Sequence, residues 1–135
     1  MKLLVKKSKI HSKGVFAGED IPRNTFIIEY EGEKITSKEA ERRALKEKDV
    51  TYQFILNTRY VIDGRKGNIS RFVNHCCDPN CKYLFKRGKI LYYAKKKIKK
   101  GEELTIDYEF DKKDDKVPCK CGSPKCRGTI NLKLL

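Results

Sequence analysis

The C-terminal stretch Cys119-Lys120-Cys121-Gly122-Ser123-Pro124-Lys125-Cys126 limits what this chain can fold into more than any other feature. It sets three thiols on a short loop bent by Gly122 and Pro124, in a tail from Cys119 to Leu135 with too few apolar residues to bury itself. Such a segment holds a shape only by binding something. Three thiolates on a turn suit tetrahedral zinc, which takes four ligands at about 2.3 Å for sulfur. The fourth ligand has to come from elsewhere. The other cysteines, Cys76, Cys77 and Cys81, lie together in one loop-like segment, and spacing alone does not choose among them. Any of the three would pin the tail to the body of the domain. Free thiols or a disulfide are the lesser reading, because Met1-Lys2-Leu3-Leu4-Val5 is far shorter than the apolar core of a secretory signal. An intracellular, reducing setting is expected.

The 135 residues suffice for one modest core and little spare stability. A net charge of +14, carried mostly by lysine, favours polyanionic partners, whether nucleic acid, chromatin or an anionic membrane; the plainer reading is a solvated lysine-rich surface. No apolar run approaches the ~20 residues a membrane-spanning helix needs, so no membrane role is expected.

The apolar pattern is mainly β. Leu3 to Lys7, Val15-Phe16-Ala17 and Thr25 to Tyr30 read as strands separated by turns at Ser12-Lys13-Gly14 and Ile21-Pro22-Arg23-Asn24. Thr36-Ser37-Lys38-Glu39 has capping-box spacing and opens a helix over Ser37 to Lys48, whose thin apolar face (Ala40, Ala44, Leu45) places it on the surface. Strands return at Tyr52 to Leu56 and Tyr60 to Asp63. Further strands are expected at Lys82 to Phe85, Ile90 to Ala94 and Leu104 to Tyr108, with Gly88 and Gly101 in turns. Asp111 to Lys116 is a charged break before the tail.

The most specific stretch is Arg71-Phe72-Val73-Asn74-His75-Cys76-Cys77-Asp78-Pro79-Asn80-Cys81. On its own it reads as a tight, hydrogen-bonded loop with a satisfied histidine. With Gly101-Glu102-Glu103-Leu104-Thr105-Ile106-Asp107-Tyr108, however, it closely resembles the paired signatures of SET-domain lysine methyltransferases. His11 to Phe16, the Glu29-Tyr30-Glu31-Gly32-Glu33 turn and the Ile62 to Asn68 run follow that family's order, and Cys119 to Gly128 is similar to its post-SET zinc tail. The Asn-His-Cys-Cys run is similar to trithorax-like members that modify histone tails.

The resemblance implies a mainly β fold, the SET β-clip of small curved sheets. In it, a C-terminal pseudoknot threads the Tyr108 segment beneath the Asn74–His75 loop, an exception to ordinary unthreaded topology. It divides the chain into a SET domain over 1–111 and a zinc-bound post-SET tail over 112–135. It implies S-adenosylmethionine as methyl donor, with His11, Ser12, Lys13, Tyr52, Arg71, Asn74 and His75 lining its pocket and Asn131 and Leu132 closing over it. Tyr108 matches the catalytic tyrosine, and Tyr30 would line the channel for the substrate lysine. Cys77 matches the fourth zinc ligand beside Cys119, Cys121 and Cys126. Ile106 stands two before Tyr108, where the family usually carries Phe or Tyr; the altered cavity leads us to expect di- or trimethylation.

The implied activity is histone-lysine N-methyltransferase, acting on a histone tail or nucleosome in the nucleus or on chromatin of a eukaryotic cell or host. Glu29, Glu31, Glu109 or Asp111 would supply the acidic groove a basic tail needs. The rivals are a methyltransferase of a nonhistone lysine and a catalytically silent, zinc-stapled chromatin- or DNA-binding module. Against the latter, the basic residues are dispersed and no recognition helix appears, although the basic surface fits nonspecific DNA contact.

Overall fold

A computed structural model describes residues 1–46, 52–110 and 115–132. In chain order its elements are β1 (Leu3–Lys7), β2 (Lys13–Ala17), β3 (Phe26–Glu29), β4 (Glu33–Thr36), α1 (Ser37–Lys46), β5 (Gln53–Ile55) and β6 (Tyr60–Asp63). A 3₁₀ turn (Ile69–Phe72) follows, then β7 (Asn74–His75), β8 (Cys81–Lys86), β9 (Lys89–Ala94) and β10 (Thr105–Ile106). These strands form small sheets ordered β1-β2, β3-β9-β8, β4-β6-β5 and β10-β7. The mainly β architecture expected from the sequence is present.

Alternation decides which face of each strand is buried. Along β9, Ile90, Tyr92 and Ala94 are buried while Lys89, Leu91 and Tyr93 are more open. The buried set meets Val15, Ile21, Ile98, Leu104 and Ile106 in one main core. Burying each large aliphatic side chain contributes roughly 1.5–3 kcal/mol, so this cluster is what holds the sheets together. Ile35, Ala40 and Val61 form a smaller cluster under α1.

The helix begins as its capping signal requires, with the Thr36 hydroxyl accepting the Glu39 N–H at 3.1 Å. The reciprocal half of the capping box is absent, because the Glu39 carboxylate instead binds Arg42 and Arg43. Of the thin apolar face, Ala40 is buried but Leu45 is 89% exposed. The helix is held down largely by Arg43, which pairs with Glu33 on β4 and with Asp63 on β6. The expected extension to Lys48 lies outside the described residues, as does most of the charged break at 111–116.

Two close approaches bring distant segments together. The turn after β3 packs on the loop after β6 so tightly that a Cβ at Gly67 would lie 1.9 Å from the Glu31 carbonyl oxygen. The expected strand over Leu104 to Tyr108 narrows to Thr105–Ile106, which runs parallel to β7, with Thr105 opposite Asn74 and Ile106 opposite His75. Buried Asn80 fixes this join. Its side-chain oxygen accepts the Thr105 N–H at 2.8 Å, and its amide donates to the Glu103 carbonyl at 2.8 Å. The two-residue strand β7 was not anticipated from the sequence, since so short an element has no periodicity to read.

Candidate active site

Asn74 is 5% exposed, and its side-chain nitrogen faces the carbonyl oxygens of Lys13 (2.9 Å) and His11 (3.2 Å) and the Glu103 carboxylate (2.9 Å). An amide has two hydrogens, so these three acceptors share them. Glu103 also accepts the Ser8 hydroxyl at 2.8 Å. This carboxylate fits only because residue 14 lacks a side chain: a Cβ at Gly14 would lie 2.3 Å from Glu103 Oε2. The His11-Ser12-Lys13 loop, with Ser12 at a left-handed φ of 40°, is thereby anchored from the middle and the C-terminal part of the chain.

Phe72 gathers the neighbouring side chains. Lys13 Nζ lies 5.6 Å and the Arg71 guanidinium 4.3 Å from its ring centroid, and the Tyr52 ring meets it edge-on at 6.2 Å. Arg71 also donates to the Asn68 carbonyl at 2.8 Å. His11, Ser12, Lys13, Tyr52, Arg71 and Asn74 are thus brought to one region.

His75 points elsewhere. It is 3% exposed, its Nδ1 accepts the Tyr108 backbone N–H at 3.0 Å, and its Nε2 lies 3.4 Å from Cys77 Sγ. Since Nδ1 is an acceptor, the ring proton sits on Nε2 and faces the sulfur. Burial lowers the His75 pKa below its ordinary 6.5, against the nearby Asp107 carboxylate that would raise it. The imidazole is held neutral, a link between Tyr108 and Cys77.

The Tyr108 ring is partly open to solvent, 5.4 Å from the His75 ring, while its hydroxyl points inward and donates to the Val73 carbonyl at 2.7 Å. Burial of that hydroxyl raises its pKa above the ordinary 10.0, so the phenol stays protonated. Tyr30 is buried, donates to the Tyr52 carbonyl at 2.8 Å, and packs 5.3 Å from Phe54 and 6.1 Å from Tyr92. Burial, reinforced by Tyr108 and other nearby groups, keeps its hydroxyl neutral as well. Ile106, two residues before Tyr108, is fully buried in the main core.

The thiols of Cys77, Cys119, Cys121 and Cys126 all lie within 4.8 Å of one another. Cys81 is instead a core residue, 2% exposed, and Cys76 stands outside the four-thiol set. Backbone N–H groups of Arg127 and Gly128 point at Cys77 Sγ and Cys126 Sγ, each at 3.3 Å. Burial pushes Cys121 upward, but N–H groups of Cys77 and Ser123 and the adjoining thiols outweigh it and bring the thiol down to about 6. Four converging sulfurs, two of them met by peptide N–H groups, are a donor set that fits one zinc ion.

The tail beyond the cysteines docks beside Tyr108. Phe110 bridges to Asn131, the Leu132 N–H donates to the Phe110 carbonyl at 2.9 Å, and the Phe110 ring lies 5.7 Å from that of Tyr108. Asn131 is fully buried; its side chain accepts the Val117 N–H and donates to the Asp115 carbonyl, so it organises the tail itself. Arg127 grips Asp107 with two bonds, at 2.7 and 3.1 Å. Glu103, Phe72, Asn80 and the Asp107–Arg127 pair are positions to which the sequence reading gave no role. Glu103 and Asp107 sit inside the second signature and Arg127 directly after Cys126, but their partners are remote in sequence.

The SET domain family model matches residues 12–109. The chain belongs to the SET-domain family. This SET domain is 46% identical over 134 residues to the histone-lysine N-methyltransferase set1 of Dictyostelium discoideum, covering 93% of the chain and 9% of that protein. It is 43% identical over 136 residues to a histone-lysine N-methyltransferase of Schizosaccharomyces pombe described as H3 lysine-4 specific, covering 92% and 14%. It is 40% identical over 139 residues to the human histone-lysine N-methyltransferase SETD1A, covering 96% and 8%. The chain therefore spans no more than about a seventh of the length of these relatives.

Proposed function

We propose that this SET domain is a histone-lysine N-methyltransferase, moving a methyl group from S-adenosylmethionine to the side-chain amine of a lysine in a histone tail. The observation that carries this reading is the protonated, inward-pointing Tyr108 hydroxyl fixed to Val73, one residue from the Asn74 amide that anchors the His11–Lys13 loop. Relatives at 40–46% identity that are named histone-lysine N-methyltransferases support it.

The donor, when bound, supplies a methyl on a sulfonium. The chain's own residues do the rest. The His11–Lys13 loop offers backbone groups, Phe72, Tyr52 and Arg71 offer a stacking and cationic wall, and Asn74 keeps the loop in place. His75 contributes through its backbone, since its ring is engaged by Tyr108 and Cys77. A free lysine with a pKa of ~10.4 is neutral about once in a few thousand at pH 7. Burial of the amine between Tyr30 and Tyr108 would disfavour the ammonium, which gives its proton to solvent, and leave the neutral amine as nucleophile. Tyr108, a poor base while its hydroxyl stays protonated, orients the amine. Cys77, Cys119, Cys121 and Cys126 would hold a structural zinc, a closed site with no open position for chemistry. Asn131 and Leu132 close the tail beside Tyr108.

We take 1–111 as the SET domain and 112–135 as the post-SET tail. Glu29, Glu31 and Glu109 remain candidates for the acidic groove; Asp111 lies outside the described residues. Action in the nucleus follows from a histone substrate, and the lysine-rich surface would make nonspecific DNA contact on a nucleosome. No helix among the described residues is long and apolar enough to cross a membrane.

Incubation of labelled S-adenosylmethionine with histones and nucleosomes tests the proposal. Label should enter a histone lysine, with Tyr108→Phe losing roughly two orders of magnitude in rate while donor binding persists. Transfer to no histone or basic peptide would overturn the reading, and transfer only to another protein would favour a nonhistone substrate. Product masses decide the role of Ile106: monomethyl product alone after prolonged reaction contradicts the expected di- or trimethylation.

A further inference from the structure

Arg127 touches three parts of the molecule at once. Its backbone N–H points at Cys77 Sγ at 3.3 Å, so the geometry of the cysteine cluster sets where its main chain lies. Its guanidinium donates to the Asn131 carbonyl at 3.2 Å and to the Ile130 carbonyl, the part of the tail that docks on Phe110. The remaining fork takes both Asp107 oxygens, and side chains 18% and 20% exposed make this a partly desolvated, bidentate pair. Asp107 stands between Ile106, paired with His75, and Tyr108, whose N–H ends on His75 Nδ1. The same carboxylate accepts the Glu109 N–H at 2.9 Å and so shapes the chain just after Tyr108, where Glu109 takes a left-handed φ of 53°.

We infer that Arg127 is a positioning residue for Tyr108, and that the Arg127–Asp107 pair carries the metal-bound state of the tail into the active strand. This rests on reading the four thiols as a zinc site and Tyr108 as the reactive tyrosine. A second link also leaves the cluster, from Cys77 through the His75 ring to the Tyr108 N–H, but it bypasses Asp107 and the returning tail segment at Ile130 and Asn131. The Leu132–Phe110 bond reaches the chain only after Tyr108. Arg127 joins Cys77 through its main chain, and the returning tail and the residue preceding Tyr108 through its guanidinium. Lysine would not replace it, because an ammonium cannot span a carboxylate fork and two carbonyls together.

Amide hydrogen exchange on the zinc-loaded chain tests this without methyl transfer. In Arg127→Ala that retains its zinc by elemental analysis, the Tyr108 and Glu109 amides should exchange about tenfold or more faster than in the wild type. Chelation should speed the same amides by a similar factor in the wild type and by clearly less in the variant, where only the route through His75 is left. Arg127→Lys should fall between. Unchanged exchange in zinc-loaded Arg127→Ala, or a full further acceleration on chelation, overturns the proposal. If Arg127→Ala loses its metal, Asp107→Asn decides, since it breaks the pair from the other side and changes no residue of the tail: wild-type protection with zinc retained also overturns it. In transfer assays Arg127→Ala should lower kcat about tenfold, with KM for the donor within about threefold. If the wild type transfers no methyl, the proposed reaction fails while the exchange result still decides the coupling.

Discussion

Asn74 ties together main-chain oxygens from residues 11 and 13 and a carboxylate from residue 103 through one amide. Replacing it with alanine removes its bonds to the half-buried Glu103 carboxylate, which keeps the Ser8 hydroxyl, and to two loop carbonyls, a loss of about 1–3 kcal/mol. Asn74→Ala should therefore lower the denaturation midpoint and weaken S-adenosylmethionine binding together, which calorimetry and chemical denaturation can read side by side. Gly14→Ala should act on the same knot, since the new methyl collides with Glu103 Oε2; a destabilisation of about 1–3 kcal/mol is expected in a urea titration. At this scale Asn74, Tyr108 and Cys77 were legible because each lies in a run of residues whose order resembles a family. Glu103 and Phe72 were not. A glutamate beside another glutamate, or a phenylalanine after an arginine, gains its role from what faces it, and the partner of Glu103 on β1's outgoing loop is Ser8, 95 positions away.

The helix and the two-residue strands show what local pattern can and cannot tell. The start of α1 was readable because Thr36 caps within its own turn. Its docking was not, because that depends on Arg43 meeting Glu33 and Asp63 from two other strands. Glu39 is held at about 2, below its ordinary 4.5, first by the Arg42 guanidinium and then by Arg43. The unfolded chain binds that proton near pH 4.5 and the folded chain only near 2, so the contribution is complete above 4.5 and lost as pH falls toward 2. A Glu39→Gln variant should accordingly be less stable than the wild type at pH 6, and the difference should shrink to nothing by about pH 2 in denaturant titrations. The 104–108 segment carried the apolar residues of a longer strand, yet only two residues find a ladder. Leu104 is buried in the core, and beyond Ile106 the backbone turns its hydrogen bonds to His75 and Asp107 instead.

In the whole molecule, the tail and the active strand share a wall. Removing zinc with a chelator, or replacing Cys77 by alanine, should lower the thermal midpoint by several degrees and reduce methyl transfer, whereas Cys76→Ser should leave metal content unchanged. Elemental analysis and thermal scans check both. The sequence foretold a mainly β body with a cysteine-held end, because turn residues and thiols announce themselves locally. The parallel pairing of residues 74–75 with 105–106 was not anticipated; the resemblance implied only that the Tyr108 segment passes beneath the Asn74–His75 loop, since nothing in either segment names the other. That pairing has a consequence in time. Ser8, Asn74 and Glu103 meet at one point, so a growing polypeptide that has emerged only to residue 100 lacks the carboxylate that closes the His11–Lys13 loop, however well its early hairpins have formed. Closure over such separations is slow, on the order of milliseconds to seconds for β-rich domains. If the four thiols hold zinc as proposed, this domain should stay inert until Cys126 has been made and the metal captured, so that metal supply helps to set when the fold is complete.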